Sequence, residues 1–248
     1  YCTITDHGNV SGAVNFSSAM LKEGIIPVLG NEFYTFETDG KRDMDHTVVL
    51  AKNLQGWKKL LKLTTLSNKQ FYYKPRIKLE QIADLYDKDL LVFSGHPGSI
   101  VGESKDKEKD AARFKEYFGD DFYLEIQRFY PGNNGQEIAD LGKKLNIRSV
   151  ACADCHYIEK KDAEIHRVAL CSNLGKKLPE IKRMLLNNEE VPMSGFFTED
   201  SFYVPSLDNL KSFGHTDEEI DCSDILSKIE KYSILNKPVT PKFDTGDK

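Results

Sequence analysis

The chain has 248 residues and a net charge of −5 at pH 7, and 40% of its residues are hydrophobic. This length and hydrophobic content suit one α/β domain with a sizeable core. The acidic balance excludes a general nucleic-acid-binding surface, so any DNA contact must be local. No apolar run approaches the ~20 residues of a membrane-spanning helix. Five cysteines, an odd number without the spacing of a disulfide framework, favour a cytoplasmic location.

Apolar β-branched runs alternate with amphipathic segments along the chain, which predicts βα units around a parallel sheet. The predicted strands lie, in chain order, at 1–5, 25–29, 47–51, 90–93, 122–126 and 149–153. The predicted helices lie at 9–23, 53–66, 79–86, 104–118, 136–145 and 160–171. Prolines make the segment 172–205 look loop-rich, and we interpret it as a flap. One or two further helices are predicted within 217–235.

The second predicted helix, 53–66, has an apolar stripe at helical spacing. The stripe consists of Leu54, Trp57, Leu60, Leu61 and Thr64. We expect these five side chains to face the core. Lys58, Lys59 and Lys62 would then lie on a solvated face, which is also a weak candidate for contact with DNA.

Metal-capable side chains recur where the predicted strands end or begin. They are His7, Glu32, His46, His96, Asp154 and His156. Each residue alone has a simpler explanation as an ordinary polar side chain. Their recurrence matters because the carboxyl ends of barrel strands meet on one face. Since histidine and carboxylate bind zinc, manganese and iron, the pattern indicates a multinuclear metal hydrolase.

The run from Cys152 to His156 has the spacing of a haem-attachment motif, C-x-x-C-H. Covalent haem attachment would require export, and a Cys₄ zinc site would need a second close cysteine pair, which the sequence lacks. A strand continuing through this run would place Cys152, Asp154 and His156 on one face and Cys155 on the other. We therefore interpret Cys152 as a core residue and Cys155 as a neighbour of the metals. His166, in the next predicted helix, looks structural.

Seven short motifs in this order resemble one protein family. They lie at 5–9, 30–34, 45–53, 72–77, 94–96, 118–127 and 153–157. Together they are similar to the polymerase-and-histidinol-phosphatase (PHP) domain of bacterial DNA polymerase III alpha subunits, from residue 1 to about residue 243. The resemblance implies a distorted (β/α)7-type barrel, similar to a TIM barrel, with a trinuclear metal site at the carboxyl ends of its strands.

The resemblance also implies roles for particular residues. Its metal ligands would be His7, Glu32, His46, His96, Asp154 and His156, although many alpha subunits have a cysteine where this chain has His96. Glu32, Asp154 and His156 would be the catalytic residues, with Glu32 bridging two ions. The ions would be zinc, manganese or iron in this domain, and magnesium in the polymerase part of the full protein. Lys74 and Arg76, in a Tyr-Tyr-Lys-Pro-Arg run, are weak candidates for DNA binding.

The family opens with a His-x-His pair, and nothing in this sequence corresponds to it. We therefore expect residues 1–236 to form a PHP domain that is incomplete at its start and lacks its first strand. Residues 237–248 resemble the link to a polymerase palm domain. On this interpretation the chain is a fragment that is inactive alone.

The full protein would carry out template-directed DNA synthesis, with a 3′ to 5′ exonuclease capability in this domain. Its partners would be DNA, a proofreading exonuclease subunit and a sliding clamp, and not a membrane. One alternative is a non-catalytic PHP domain that stiffens the polymerase or docks a separate exonuclease. A second alternative is a stand-alone phosphatase acting on a small phosphoester such as histidinol phosphate.

Overall fold

The computed structural model describes residues 1–39, 44–129, 133–237 and 240. Within these residues seven strands form one sheet, in the order β1-β2-β3-β5-β6-β7, with β4 paired to β2. The strands are β1 Cys2–Ile4, β2 Pro27–Thr35, β3 Asp45–Ala51, β4 Arg76–Ile77, β5 Leu90–Phe93, β6 Phe122–Ile126 and β7 Ser149–Ala151. β1 with β2, β2 with β4, and β6 with β7 are parallel pairs. The predicted α/β class is confirmed, and it is consistent with a barrel of the PHP or TIM type.

Helices follow most of the strands. They are α1 Ala13–Lys22, α2 Leu54–Lys69, α3 Leu79–Leu85, α4 Ile100–Glu103, α5 Lys107–Phe118, α6 Gly135–Leu145, α7 Ala163–Leu174, α8 Leu178–Leu186, α9 Gly195–Thr198, α10 Leu207–Ser212, α11 Asp217–Ile220 and α12 Ser223–Ser227. Asn53 caps α2, because its side chain accepts a hydrogen bond of 2.9 Å from the Gly56 N–H. No helix among the described residues is long and apolar enough to cross a membrane.

The predicted flap at 172–205 is wrong in part, because this segment contains α8 and α9. Pro179 lies in the first turn of α8, where a missing N–H removes no helical hydrogen bond. The proline therefore starts this helix instead of breaking it. Ile181 of α8 is fully buried in a cluster with Leu170 and Phe197.

The predicted face of α2 is also partly wrong. Trp57 and Leu60 are buried as expected, and they are joined by Leu63. Leu54 and Leu61, which the stripe placed inside, are 40% and 39% exposed. The stripe 57-60-63 follows i+3 spacing along the helix, and the sheet covers only that narrow strip.

The described residues group into two compact units. The first is formed by Tyr1–Met44, Val48–Val92 and Ile225–Lys248, and the second by Asp45–Thr47 and Phe93–Asp224. Phe33, Val49, Leu60 and Leu91 are buried in the first unit. In the second, Phe114 of α5 stacks on Phe122 of β6 with ring centroids 4.9 Å apart.

The first unit is closed by a segment that comes from far along the chain. The Glu230 N–H donates a 2.8 Å hydrogen bond to the Lys52 carbonyl, and the Tyr232 hydroxyl donates one of 3.4 Å to the Ala51 carbonyl. Asn53 also donates to the Glu230 carboxylate at 3.2 Å. The predicted linker at 237–248 lies almost entirely outside the described residues.

Candidate metal centre

His7 and Glu32 are brought together by backbone pairing. The Gly8 N–H donates to the Glu32 carbonyl at 2.9 Å, and the Glu32 N–H donates to the Asp6 carbonyl at 3.1 Å. This pairing continues β2 past the predicted end at residue 29, so Glu32 lies inside the strand and not at its end. His7 Nδ1 lies 3.1 Å from Glu32 Oε2. The Glu32 side chain is buried while that of His7 is 44% exposed, so a buried carboxylate faces an accessible imidazole.

His46 and His96 face each other through their ring nitrogens. His96 Nε2 lies 2.7 Å from His46 Nδ1, and the ring centroids are 4.5 Å apart. The Gly98 N–H donates to His96 Nδ1 at 2.9 Å, so that nitrogen carries the lone pair of a neutral ring. Nε2 of His96 then holds the proton that it donates to His46. A hydrogen bond therefore joins the two rings, from His96 Nε2 to His46 Nδ1.

One group of three ligand atoms is formed within the described part of the chain. His7, Glu32 and His46 each offer one ligand atom, and these atoms all lie within 4.8 Å of one another. Two imidazole nitrogens and a carboxylate oxygen are a donor set that suits zinc and other divalent transition metals. The residues therefore fit a divalent ion. Asp154 and His156 are not in this group.

Asp154 and His156 form a pair of their own, shaped by an unusual backbone. Asp154 has a φ of +46°, in the left-handed region. His156 Nδ1 lies 2.8 Å from the Asp154 carbonyl oxygen and 3.6 Å from its carboxylate. Because a carbonyl only accepts, His156 Nδ1 must carry the proton, which leaves the lone pair on Nε2. A protein usually orients a histidine ligand by a hydrogen bond from the ring nitrogen that does not bind the metal.

Aromatic rings pack around His156. Phe196 lies edge-on with its centroid 4.6 Å from the imidazole, Phe202 lies at 5.8 Å, and His166 lies at 5.3 Å. Burial lowers the pKa of His166, and the neighbouring His156 lowers it further. His166 is therefore a neutral packing partner of His156 at pH 7.

The side-chain directions predicted for residues 152–156 are wrong, because they assumed that the strand continues through this run. β7 ends at Ala151, and the left-handed backbone at Asp154 breaks the alternation of side chains. Cys155 is exposed, and its Sγ donates a weak 3.5 Å hydrogen bond to the Tyr203 carbonyl. Burial, with the nearby Glu125 carboxylate, raises the pKa of the Cys152 thiol well above its ordinary value. Cys152 is therefore a protonated thiol, which is a poor metal ligand.

The predicted DNA contacts differ in their surroundings. Arg76 is only 7% exposed, and its guanidinium lies over the Phe36 and Tyr72 rings at 4.1 and 4.6 Å. This burial argues against Arg76 as a phosphate ligand. Lys59 is paired with Asp89 at 2.8 Å. Lys58, Lys62 and Lys74 are exposed.

Tyr34 is a site residue that the sequence reasoning missed. Its ring stacks on the His7 imidazole with centroids 5.9 Å apart and an interplanar angle of 26°. Its hydroxyl accepts a hydrogen bond of 3.2 Å from Lys74 Nζ. Alternation along β2 places Tyr34 on the same face as Glu32, two residues earlier, so the strand pattern could have found it.

Comparisons with known proteins show the family of this chain. A family model described as the PHP domain matches residues 1–129. DNA polymerase III subunit alpha from Borreliella burgdorferi is 32% identical over 210 residues, which cover 77% of this chain and 18% of that protein. The Aquifex aeolicus and Campylobacter jejuni proteins of the same name are 34% and 31% identical, and cover 72% and 97% of this chain. The matches cover 17% of the Aquifex aeolicus protein and 21% of the Campylobacter jejuni protein.

The chain therefore belongs to the PHP domain family, whose members generally bind divalent metals. Within that family it is homologous to the DNA polymerase III alpha subunits of several bacteria. It spans about a fifth of the length of these curated relatives.

Proposed function

We propose that this chain is the PHP domain of a replicative DNA polymerase alpha subunit, and that within the longer protein this domain hydrolyses phosphodiester bonds at the 3′ ends of single-stranded DNA. The observation that carries the proposal is the convergence of His7, Glu32 and His46 ligand atoms within 4.8 Å. The names of the relatives support the polymerase context. This chain keeps all six ligand-type residues that fall within it, which favours a hydrolytic domain over a purely structural one.

The proposed ligand set is His7, Glu32, His46, His96, Asp154 and His156. Zinc, manganese or iron would suit these donors. Bound divalent ions supply positive charge that neutralises phosphate oxygens, and they make water more acidic. The buried Glu32 carboxylate is suited to bridging two cations, because it presents two oxygens and is shielded from bulk water.

Asp154 and His156 would orient the attacking water. His156 is held in one tautomer by its bond to the Asp154 carbonyl, so its Nε2 lone pair has a fixed direction. The Asp154 carboxylate lies 3.6 Å from the same ring. Through that lone pair and the Asp154 carboxylate, the two residues would hold a further ion or orient the attacking water.

The proposal extends to the longer protein. There the domain would take a (β/α)7-type barrel form and accompany template-directed synthesis in the cytoplasm, with magnesium in the polymerase part. DNA, a proofreading exonuclease subunit and a sliding clamp would be its partners. Residues 237–248 would form the link to the palm domain.

Elemental analysis of the protein purified without chelator tests the metal site. We expect two or three transition-metal ions per chain, and a lower content in Glu32→Gln because the bridging carboxylate is lost. Glu190→Gln, which removes an exposed carboxylate, is the matched control and should keep the full content. Less than one ion per chain after soaking in zinc or manganese, or equal contents in the two variants, would contradict the proposal.

Hydrolysis of a labelled single-stranded oligonucleotide, measured on the longer protein and on this chain alone, tests the chemistry. Metal-dependent release of nucleotides from the 3′ end is the expected result for the longer protein, and this chain alone should be inactive. Full metal content with no hydrolysis of DNA would overturn the hydrolytic role and support the non-catalytic alternative.

A further inference from the structure

A turn of exposed aromatic residues lies beside the candidate metal site. Phe71 and Tyr73, which follow α2, are 61% and 55% exposed. Large rings left in water do not gain the free energy that burial would provide. Exposed aromatic rings in a group therefore indicate a surface that is covered by a ligand.

The backbone holds this turn in a strained form. Tyr73 has a φ of +62°, in the left-handed region that a bulky side chain rarely adopts. The Tyr72 N–H donates a 3.0 Å hydrogen bond to the Lys74 carbonyl across it. The Tyr72 ring packs edge-on against the Tyr73 ring at 4.7 Å, and the buried Arg76 guanidinium packs on Tyr72. Such strain persists when the surroundings enforce it, and it is concentrated at functional sites.

Two contacts fix the turn against His7. Pro75 packs so closely on Gly8, next to His7, that a Cβ added there would lie 2.7 Å from the proline ring. Lys74 Nζ donates to the Tyr34 hydroxyl at 3.2 Å, and the Tyr34 ring stacks on the His7 imidazole. A ligand that lay on the turn would therefore extend toward the His7–Glu32 pair.

The charge of residues 69–78 indicates what kind of ligand this surface would bind. Residues 69–78 carry Lys69, Lys74, Arg76 and Lys78 and no acidic residue, although the whole chain has a net charge of −5. Lys78 is paired with Asp39, and Arg76 is buried, but Lys69 and Lys74 are exposed. Protruding rings next to exposed cations suit a flexible polyanion with planar bases. In a duplex the bases are already stacked, so single strands fit this surface better.

We propose that Phe71, Tyr73 and Lys74 form a stacking platform for the last bases of a single-stranded DNA. The two rings would stack on bases, and Lys74 would contact the phosphate between them. The strand would then run from the platform to His7 and Glu32. This inference rests on the proposed function only where it assumes that the bound DNA end is hydrolysed. The binding itself can be tested without hydrolysis.

Fluorescence anisotropy with a labelled oligothymidylate of about ten nucleotides, in chelator to prevent cleavage, measures the binding directly. Phe71→Ala and Tyr73→Gly should each weaken binding by about tenfold, as expected from the loss of one stacked base. Glycine replaces Tyr73 because it adopts a positive φ without strain. Tyr73→Phe should bind as the unmodified protein does, and Leu186→Ala, which removes an exposed apolar side chain from α8, is the control.

Several results would overturn the platform. One is unchanged affinity in both Phe71→Ala and Tyr73→Gly, and another is an equal loss of affinity for blunt duplex DNA of the same sequence. If either variant folds poorly, Phe71→Trp provides a second measurement. Its tryptophan emission should be quenched by the oligonucleotide beyond any change in the unmodified protein, and a lack of quenching would contradict stacking. Because binding is measured in chelator, failure of hydrolysis leaves these outcomes unaffected.

Discussion

At the scale of single residues, Asp154 combines a chemical and a conformational requirement. Its φ of +46° is tolerated by Asp and Asn better than by other side chains, because their short polar groups bond locally. Its carbonyl fixes His156, and its carboxylate lies beside the same ring. Backbone and side chain therefore contribute separately, and different substitutions can separate them.

We predict that Asp154→Asn keeps the fold and lowers turnover on single-stranded DNA ends far more than it lowers DNA binding. Asn retains tolerance of the left-handed backbone but loses the negative charge. Asp154→Ala should in addition be about 1 kcal/mol less stable than Asp154→Asn, because alanine adopts the left-handed backbone conformation less favourably than asparagine. Thermal melts and exonuclease assays on the same preparations check both statements.

Cys155→Ser is the matched control for the Asp154 series. Cys155 is adjacent and exposed, and its thiol makes one weak hydrogen bond that a serine hydroxyl can replace. Turnover should change little. Loss of activity in Cys155→Ser together with full activity in Asp154→Asn would show that the roles of the two residues are reversed.

Part of the candidate site could be predicted from sequence because its residues lie where apolar runs end or begin. His7, Glu32 and His46, whose ligand atoms lie within 4.8 Å of one another, were proposed in this way. The side-chain directions after β7 could not be predicted, since alternation holds only while the strand lasts. A positive φ at Asp154, a non-glycine residue, has no reliable sequence pattern.

At the scale of elements, α2 depends on one close approach. A Cβ added to Gly56 would collide with the Asp89 carbonyl, which lies just before β5. The Lys52 N–H donates to that same carbonyl at 2.9 Å, so the oxygen cannot move away without losing a hydrogen bond. Gly56 therefore sets the distance between the start of α2 and the sheet.

We predict that Gly56→Ala lowers the free energy of unfolding by about 1–3 kcal/mol, as overpacking usually does. Helix propensity alone predicts the opposite sign, because alanine stabilises an exposed helix interior by about 1 kcal/mol relative to glycine. Urea denaturation followed by Trp57 fluorescence measures the difference. Gly195→Ala in α9 is the control, since a Cβ there meets no atom within 4 Å, and a loss of stability similar to that of Gly56→Ala would contradict the explanation.

The elements themselves were predictable where local patterns agree with the fold. α2, α3, α6 and the strands β5 and β6 lie within a few residues of their predicted positions. α8 was missed because Pro179 was interpreted as a helix breaker without regard to its place in the first turn. The pairing of Arg128 with Glu219, 91 residues apart, has no local pattern from which it could be predicted.

At the scale of the whole molecule, stability should depend on a buried ionic cluster. Arg128 donates two hydrogen bonds to the Glu219 carboxylate, at 2.8 and 3.2 Å, and Glu219 Oε2 lies 3.1 Å from His215 Nδ1. Burial lowers the pKa of His215, more than the bond to Glu219 raises it, and the Arg128 charge also lowers it. Burial alone would raise the pKa of Glu219, but the bonds from Arg128, the Thr216 N–H and His215 lower it overall.

We predict that the free energy of unfolding falls as the pH is lowered. Both groups bind fewer protons in the folded chain than in the unfolded chain, so acid favours unfolding. The stabilisation that neutral His215 contributes is fully present above the ordinary pKa of 6.5 and is lost as the pH falls below it. The stabilisation from ionised Glu219 is fully present above 4.5 and is lost as the pH falls further. His166, whose pKa is also lowered, acts in the same direction.

Urea denaturation at pH 7, 6 and 5 measures this dependence. His215→Asn should show a smaller loss of stability between pH 7 and pH 5 than the unmodified protein, because one of the titrating groups is gone. Glu190→Gln, an exposed substitution, should keep the full loss. Identical pH dependence in His215→Asn and the unmodified protein would show that His215 does not titrate as its burial predicts.

The hydrogen bonds from Glu230 and Tyr232 to the end of β3 have a consequence for how the chain is made. They join residues 178 and 181 positions apart. A ribosome releases the strands of the first unit early, but the segment that closes this unit emerges only after the whole second unit has been synthesised. The nascent first unit must therefore wait with its closing segment unmade, exposed to chaperones and to mispairing, for the time needed to translate more than half of the chain.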